Sequence, residues 1–264
     1  MASCRIHYRG CFIFFIKALK LASISLLIAS VVHLTINAPS YYETYVLETS
    51  GKKVFQLRLK DGGGGTGFQF NWKGRNFIIS NAHICAHSQD GEMLANRDGQ
   101  ESPYILTIIA QNKEKDLCLL TPVPKVAGLT LEEKVYLKES VMAVGHPRLG
   151  LLKVTRGKIV LEGNVTFPIQ VDSDEACLAE KGVVTEYKWI FGVARICLKT
   201  HKAFWTDVYI QPGSSGSPLL NKYGSVVGVM FGAGSGVSYA IPGKILKEFL
   251  TDVESRGLLQ KFLE

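Results

Sequence analysis

Gln211-Pro212-Gly213-Ser214-Ser215-Gly216-Ser217-Pro218 is a polar, glycine-punctuated turn between two apolar stretches, Trp205–Ile210 and Leu219-Leu220. A serine between glycines on a tight turn can hold its hydroxyl clear of the backbone. Glycines there also let successive N–H groups converge on one point, the geometry of an oxyanion hole. An ordinary hairpin loop would use the same residues. What stands upstream therefore decides how the turn is read.

A serine hydroxyl is a poor nucleophile until a base takes its proton, and imidazole titrates near neutrality. The base must also be held in one tautomer, which a carboxylate does well. Ile78-Ile79-Ser80-Asn81-Ala82-His83-Ile84-Cys85 places a histidine just past an apolar run, and Lys115-Asp116-Leu117-Cys118-Leu119-Leu120 places an aspartate at the head of one. Each alone is unremarkable. The order His83, Asp116, Ser215, with glycine chemistry around the serine, is far more specific.

Outward from these motifs the chain reads as short strands broken by glycine. Val54–Leu59 alternates, and Phe68–Trp72 with Phe77–Ser80 makes a hairpin around Lys73-Gly74-Arg75. Ile105–Ala110 and Leu117–Leu120 follow. After a proline-containing link at 122–124 come Val141–Val144, Lys153–Val160, Val226–Phe231 and Val237–Ile241. Many short strands at this spacing predict an all-β barrel or sandwich architecture. Only the tail reads as a helix: Pro242 opens it, and Ile245, Leu246, Phe249, Leu250 and Val253 recur at helical spacing, with Gly257 interrupting. Residues 164–204 carry no clear pattern and read as an insertion.

At 264 residues and 47% apolar composition, the chain can bury a full core in one β unit or two small lobes. The net charge is +7, but Arg5, Arg9, Lys17 and Lys20 precede the first acidic residue, Glu43; without them 26 basic residues face 23 acidic ones. The basic balance thus partly reports the N-terminal flank and gives no argument for nucleic-acid binding. An apolar run at 21–36 follows that flank, and adding 11–16, with Lys17 and Lys20 snorkelling toward the headgroups, extends the apolar segment to about 11–37. It reads as an uncleaved signal anchor, with a signal peptide cleaved after Ala38 as the alternative. Either way the body is expected to be exported, membrane-anchored or secreted.

Other motifs carry less. Gly62–Gly67 leads to Phe68 and a strand, where a phosphate loop needs Lys, then Ser or Thr, and a helix. Gly232–Gly236 fails in the same way. His83-x-Cys85-x-His87 lacks an apparent fourth metal ligand. Asn164-Val165-Thr166 is a glycosylation sequon, and His146 in Gly145-His146-Pro147 reads as a turn residue.

The three motifs resemble those of trypsin/chymotrypsin-like serine proteases, and most closely the Deg-type (HtrA) branch. The Gly145-His146-Pro147 turn and Tyr239-Ala240-Ile241-Pro242 before the last helix resemble it too. The resemblance covers roughly 53–250, with 164–204 unmatched. It implies two antiparallel β-barrels, about 45–122 and 135–242, then a C-terminal α-helix at about 243–263. Residues 1–44 would be flank and anchor, and 45–264 the protease domain, with no PDZ domain following. It implies Ser215 as nucleophile, His83 as base, Asp116 as orienting carboxylate, and the N–H groups of Gly213 and Ser215 as oxyanion hole. It also maps Tyr209 and Ile210 to one side of the specificity pocket and Phe231 and Ala233 to the other. With no acid at the pocket floor, a small or medium apolar side chain is expected before the scissile bond of a protein or peptide substrate. No metal or organic cofactor is implied. Departures are Ser217 in place of a usual glycine, and Ser214 where related enzymes activated by a freed N-terminus carry aspartate. The rival reading is a catalytically silent protease fold serving as a binding module.

Of the four body cysteines, Cys177 and Cys197 both fall in the unmatched segment and are expected to pair. Cys85 and Cys118, two residues beyond His83 and Asp116, are expected as thiols packed near the site.

Overall fold

Alternation and glycine punctuation give the strands expected of them. The computed structural model describes residue 20, residues 22–33 and residues 42–260, apart from 61, 89, 99, 101, 170–172, 190 and 191. The chain forms two compact units, Met1–Tyr45 and Val46–Glu264. In the first, residues 22–33 are helical with exposed side chains. Much of the segment expected to anchor the protein, 11–37, lies outside the described residues. Among the described residues no helix is long and apolar enough to cross a membrane.

The second unit opens with a closed barrel. Its strands are β1 (Val54–Arg58), β2 (Gly64–Trp72), β3 (Arg75–Ser80), β4 (Glu92–Asn96), β5 (Tyr104–Asn112) and β6 (Leu117–Leu120), paired in the order β1-β2-β3-β6-β5-β4 with β4 back on β1. The hairpin between β2 and β3 turns through Lys73 (φ 49°) and Gly74 (φ 86°). Two positive-φ residues give the twist that matches the flanking strands. Phe55, Leu57, Ile78, Met93, Leu106 and Leu120 fill the interior. Strand β4 had no clear sequence signal, because only Met93 and Ala95 point inward.

A seven-stranded sheet follows: β7 (Ser140–Gly145), β8 (Lys153–Ile169), β9 (Val183–Trp189), β10 (Gly192–Thr206), β11 (Pro218–Asn221), β12 (Val226–Gly234) and β13 (Val237–Pro242). The order is β13-β12-β11-β7-β8-β10-β9, and β13 also pairs with β10 through Phe204↔Ala240 to Thr206↔Ser238. Six of the strands thus form a hydrogen-bonded circuit, with β9 outside it. Val141, Ile159, Phe204, Leu219, Val227 and Met230 form its core.

Segment 164–204, expected as an insertion, largely continues this sheet. Strand β8 runs on to Ile169, and β10 pairs with it without a break from Cys197↔Ile169 to Trp205↔Leu161. A short helix, α2 (Asp174–Ala179), lies between β8 and β9, and Ser173 caps it by accepting the Ala176 N–H at 3.1 Å. One face of β10 is buried at Cys197, Lys199, His201 and Ala203, but two of those inward residues are polar, so apolar–polar alternation does not mark the strand. The expected Cys177–Cys197 disulfide is present and ties α2 to β10.

The tail helix, here α3, spans Gly243–Ser255 after Pro242 and buries Leu246, Phe249, Leu250 and Val253. It stops well short of 263. Gly257 takes φ 70°, and the Gly257 and Leu258 N–H groups satisfy the last-turn carbonyls of Glu254 and Val253.

Candidate active site

Strand β3 ends at Ser80, and an extended Asn81 leads into a one-turn helix, α1 (Ala82–Cys85), which presents His83. Asp116 stands at the start of β6, with a left-handed φ of 52°. That region is unfavourable for most side chains and tolerable for aspartate. Asn81 Nδ2 donates to the Asp116 carbonyl at 3.0 Å, and the His83 backbone N–H donates to Asp116 Oδ1 at 2.9 Å. With the backbone so fixed, His83 Nδ1 lies 3.0 Å from Oδ1 and 2.9 Å from Oδ2. A carboxylate in that position selects the tautomer with its proton on Nδ1 and leaves the Nε2 lone pair available. Asp116 is 7% exposed, whereas the His83 side chain is 45% exposed. The charge is therefore buried against one edge of a ring whose other edge is open.

Cys85 and Cys118, expected as thiols, form a disulfide with Cα atoms 6.5 Å apart. Barrel closure explains it: β3 pairs with β6 so that Ser80 faces Cys118, and α1 then folds Cys85 back over that strand. The bridge lies two residues beyond both His83 and Asp116. Cys85 is thereby committed to sulfur. Among the described residues no three His, Cys, Asp or Glu side chains gather as a metal site.

The serine turn is braced by its own hydrogen bonds, Ser214 N–H to the Gln211 carbonyl at 2.9 Å and Ser217 N–H to the Ser214 carbonyl at 3.0 Å. Gly213 (φ 90°) and Gly216 (φ 86°) could not be replaced cheaply. A Cβ on Gly216 would stand 1.9 Å from the Thr66 carbonyl oxygen, and one on Gly213 would stand 2.6 Å from that of His146. Thr66 is the residue that sequence reading missed. It sits within the glycine run set aside as a weak phosphate motif, fully buried in β2. Its N–H donates to the Ser215 carbonyl at 2.8 Å and its Oγ1 donates to the Gly213 carbonyl at 2.8 Å. Thr66 Oγ1 also accepts the His146 N–H at 3.0 Å. Thus the first barrel holds the turn that carries Ser215. The only advance signal was a strand starting inside a glycine run, where close backbone approach is the physical use of glycine.

Ser215 Oγ donates to the Phe231 carbonyl at 3.4 Å, and no hydrogen bond joins it to His83 among the described residues. The Arg148 N–H donates to the Pro212 carbonyl at 2.5 Å. Because that peptide is trans, the Gly213 N–H points away from Arg148. Ser214 is buried, and its Oγ accepts the Gln211 N–H at 3.4 Å.

Residues assigned to the two sides of one specificity pocket line separate cavities. Tyr209 and Ile210 line one of about 270 Å³ together with Ser214 and Ser217. Phe231 and Ala233 line another of about 530 Å³ together with His83 and Asp116. His201, also in the larger cavity, has its pKa lowered by burial, which outweighs the opposing charge of Asp116. His146 is a buried turn residue whose Nδ1 contacts the Gly150 carbonyl at 2.9 Å; burial likewise lowers its pKa.

The arrangement is that of an all-β protein with a closed barrel carrying a paired histidine and aspartate, and a serine turn held against it from the adjoining sheet. The chain belongs to the trypsin-like peptidase domain family, whose model matches residues 65–229. Among curated proteins it is similar to Protease Do-like 2, chloroplastic, of Arabidopsis thaliana, with 26% identity over 191 residues, 68% of this chain and 27% of that one. It is 23% identical over 193 residues to the serine protease HtrA-like protein of Staphylococcus aureus, covering 69% of this chain and 22% of that one. The chain thus spans about a quarter of the length of these relatives. Among solved structures, the active form of the Rv3671c protease from M. tuberculosis superposes with a TM-score of 0.62 at 18% identity, covering 79% of this chain and 83% of that one. At that identity the likeness concerns the fold.

Proposed function

We propose that the chain is a serine endopeptidase, with the protease domain at about 45–264 and the six-strand circuit of the second sheet acting as a second barrel. The observation that carries this reading is the clamp of the Asp116 carboxylate on the Nδ1 edge of His83. Nε2 of His83 takes the proton of Ser215 Oγ as that oxygen attacks the substrate carbonyl, and Asp116 stabilises the imidazolium that forms. The hydroxyl must first leave the Phe231 carbonyl, a rotation about one side-chain bond. The N–H groups of Gly213 and Ser215 receive the oxyanion. His83 then protonates the leaving amine, and water, activated by the same imidazole, hydrolyses the acyl-enzyme. No step calls for a metal or organic cofactor.

For the side chain before the scissile bond we retain a preference for small or medium apolar residues, shaped by Tyr209, Ile210, Phe231 and Ala233. The smaller cavity has no acidic residue in its lining, so a lysine or arginine there would lack a partner. An exported body is supported by the two disulfides, which persist in oxidising compartments. We keep 11–37 as its membrane anchor, with removal as a signal peptide the alternative.

Single-turnover acylation of one peptide by four folded variants tests the roles. Ser215→Ala and His83→Ala should each lose several orders of magnitude, and the double variant little more, since the residues act as a unit. Ser214→Ala should lose about tenfold or less through a looser turn. A dead Ser214→Ala beside an acylating Ser215→Ala would overturn the register and the oxyanion-hole assignment together. A catalytically silent module would leave all four alike.

A further inference from the structure

His146 opens the turn Gly145-His146-Pro147-Arg148-Leu149-Gly150 between β7 and β8. Two successive non-glycine residues of this turn have left-handed backbone, Arg148 at φ 55° and Leu149 at φ 53°. That conformation is unfavourable for both side chains, so it persists only where the surroundings impose it. The Leu149 N–H donates to the His146 carbonyl and the Gly150 N–H to the Pro147 carbonyl, both at 3.0 Å. From β1, Gln56 Nε2 and Arg58 Nη2 donate to the Leu149 carbonyl, the arginine at 3.4 Å. The His146 side chain closes the turn from inside, with Nδ1 2.9 Å from the Gly150 carbonyl.

This turn is the seat of the serine loop. The Arg148 N–H holds the Pro212 carbonyl, and a Cβ on Gly213 would stand 2.8 Å from the Leu149 nitrogen and 2.9 Å from that of Arg148. The Pro212 carbonyl and the Gly213 N–H belong to one planar peptide, so fixing the first fixes the second. The bonds inside the serine turn start from the Ser214 and Ser217 N–H groups and do not engage that peptide. Its direction is set by residues 146–150.

His146 is 1% exposed. The Gly150 carbonyl can only accept, so Nδ1 carries the proton and the neutral ring keeps its lone pair on Nε2. Nε2 is buried and has no hydrogen-bond partner among the described residues. An imidazolium would add an N–H there with nothing to receive it, together with a buried charge. The charged groups that face the ring are Asp98, with Oδ1 3.9 Å from Nδ1, and Arg58. Burial pushes the His146 pKa below the ordinary 6.5, aided by Arg58 and opposed by the Gly150 carbonyl and Asp98.

We propose that His146 is a positioning residue for the oxyanion hole and an acid-sensitive latch on it. The neutral ring holds turn 146–150, and through it the Pro212 carbonyl and the Gly213 N–H. Protonation expels the ring, the left-handed pair relaxes, and the Gly213 N–H loses its direction. The proposal rests on the protease reading above.

The test follows kcat/KM for one peptide from about pH 4.5 to 8, a quantity that reports the free enzyme's ionising groups. Two protons should silence the parent protein, one on His83 and one on His146, so log kcat/KM should fall at the acid end with a slope near two. His146→Asn can donate its amide to the Gly150 carbonyl without titrating, and its slope should be near one. His146→Ala should lose about a hundredfold in kcat with KM little changed, and His146→Asn should recover most of that loss. Equal slopes in the parent and His146→Asn overturn the latch. A second measurement needs no turnover: hydrogen exchange of the Arg148 amide in Ser215→Ala protein, read relative to that of Leu119, buried in β6. Its relative protection should fall at least tenfold as His146 titrates, and stay level when His146→Asn is added. Unchanged protection overturns the latch even in a protein that cleaves nothing. Protection that falls as expected, with no hydrolysis by the parent, overturns the protease reading alone. If His146→Asn does not fold, the Arg148 amide of the protein that retains His146 still decides.

Discussion

Replacing Cys85 and Cys118 together by alanine releases a crosslink spanning 33 residues of sequence. The chain-entropy relation then gives a loss of about 4 kcal/mol at 25 °C, from the freedom returned to the unfolded chain. For a domain of this size that corresponds to a fall in Tm of roughly 8–16 °C. Both cysteines are fully buried, so the alanines also leave unfilled volume and the entropic figure is a lower bound. The bridge ties α1 to β6 directly beneath the His83–Asp116 pair, so turnover should also drop by about tenfold through kcat with KM little changed, as misplacement of a catalytic group does. Urea unfolding at 25 °C, thermal scans, and steady-state kinetics well below the transition measure all three. The reasoning is refuted if the double variant loses less than about 1 kcal/mol, a small fraction of what the loop length requires. It is refuted equally if kcat is unchanged.

Thr66→Val removes a hydroxyl of the same shape and leaves the Gly213 carbonyl and the His146 N–H without their buried partner. A loss of about 2–4 kcal/mol is expected in urea unfolding, together with reduced kcat, while Thr66→Ser should restore both. His146 and His201 both have folded pKa values below the ordinary 6.5 because of burial. The unfolded chain then binds more protons than the folded one below that pH. Stability should be fully present above about pH 6.5 and fall as pH drops through 6.5 toward the folded values, by up to about 1.4 kcal/mol per pH unit for each histidine. His201→Gln should flatten that slope in unfolding measured at pH 7.5, 6.5 and 5.5, and an unchanged slope would remove His201 from the account. For the N-terminal unit, protease added to intact cells or spheroplasts should degrade the body; a fully protected body would overturn export, and an intact mass beginning near Pro39 would replace the anchor with a removed signal peptide.

Legibility in the sequence followed burial. Val54–Leu59 was readable by its alternation, Leu117–Leu120 and Val226–Phe231 because they are apolar and buried throughout, and the helical tail because one face is apolar. The β8–β10 ribbon was not. Exposed Asn164, Thr166, Thr200 and Lys202 do alternate with inward residues, but the inward set includes Lys199 and His201 and Pro168 interrupts the run Val165, Phe167, Ile169, so the period is masked. The pairing of His83 with Asp116 was legible because each stands at a strand end with constrained chemistry; the role of Ser215 is part of the proposal. Thr66 was hidden because its role depends on atoms distant in the chain, such as the Gly213 carbonyl. The Cys85–Cys118 bridge was hidden for the same reason, since only the pairing of β3 with β6 brings those sulfurs together. The resemblance maps Tyr209 and Ile210 to one side of the specificity pocket and Phe231 and Ala233 to the other; the two pairs line neighbouring cavities of the fold, and their joint role in specificity stands as a proposal.

The central claim is that Ser215 is a nucleophile activated by His83. Labelling with a fluorophosphonate, followed by peptide mapping, tests it most directly, because the probe reacts with an activated serine and requires no knowledge of the substrate. The account predicts one adduct, on Ser215, lost in Ser215→Ala, strongly slowed in His83→Ala and retained in Ser214→Ala. No adduct on the folded protein, or an adduct on Ser214 that survives Ser215→Ala, would contradict it.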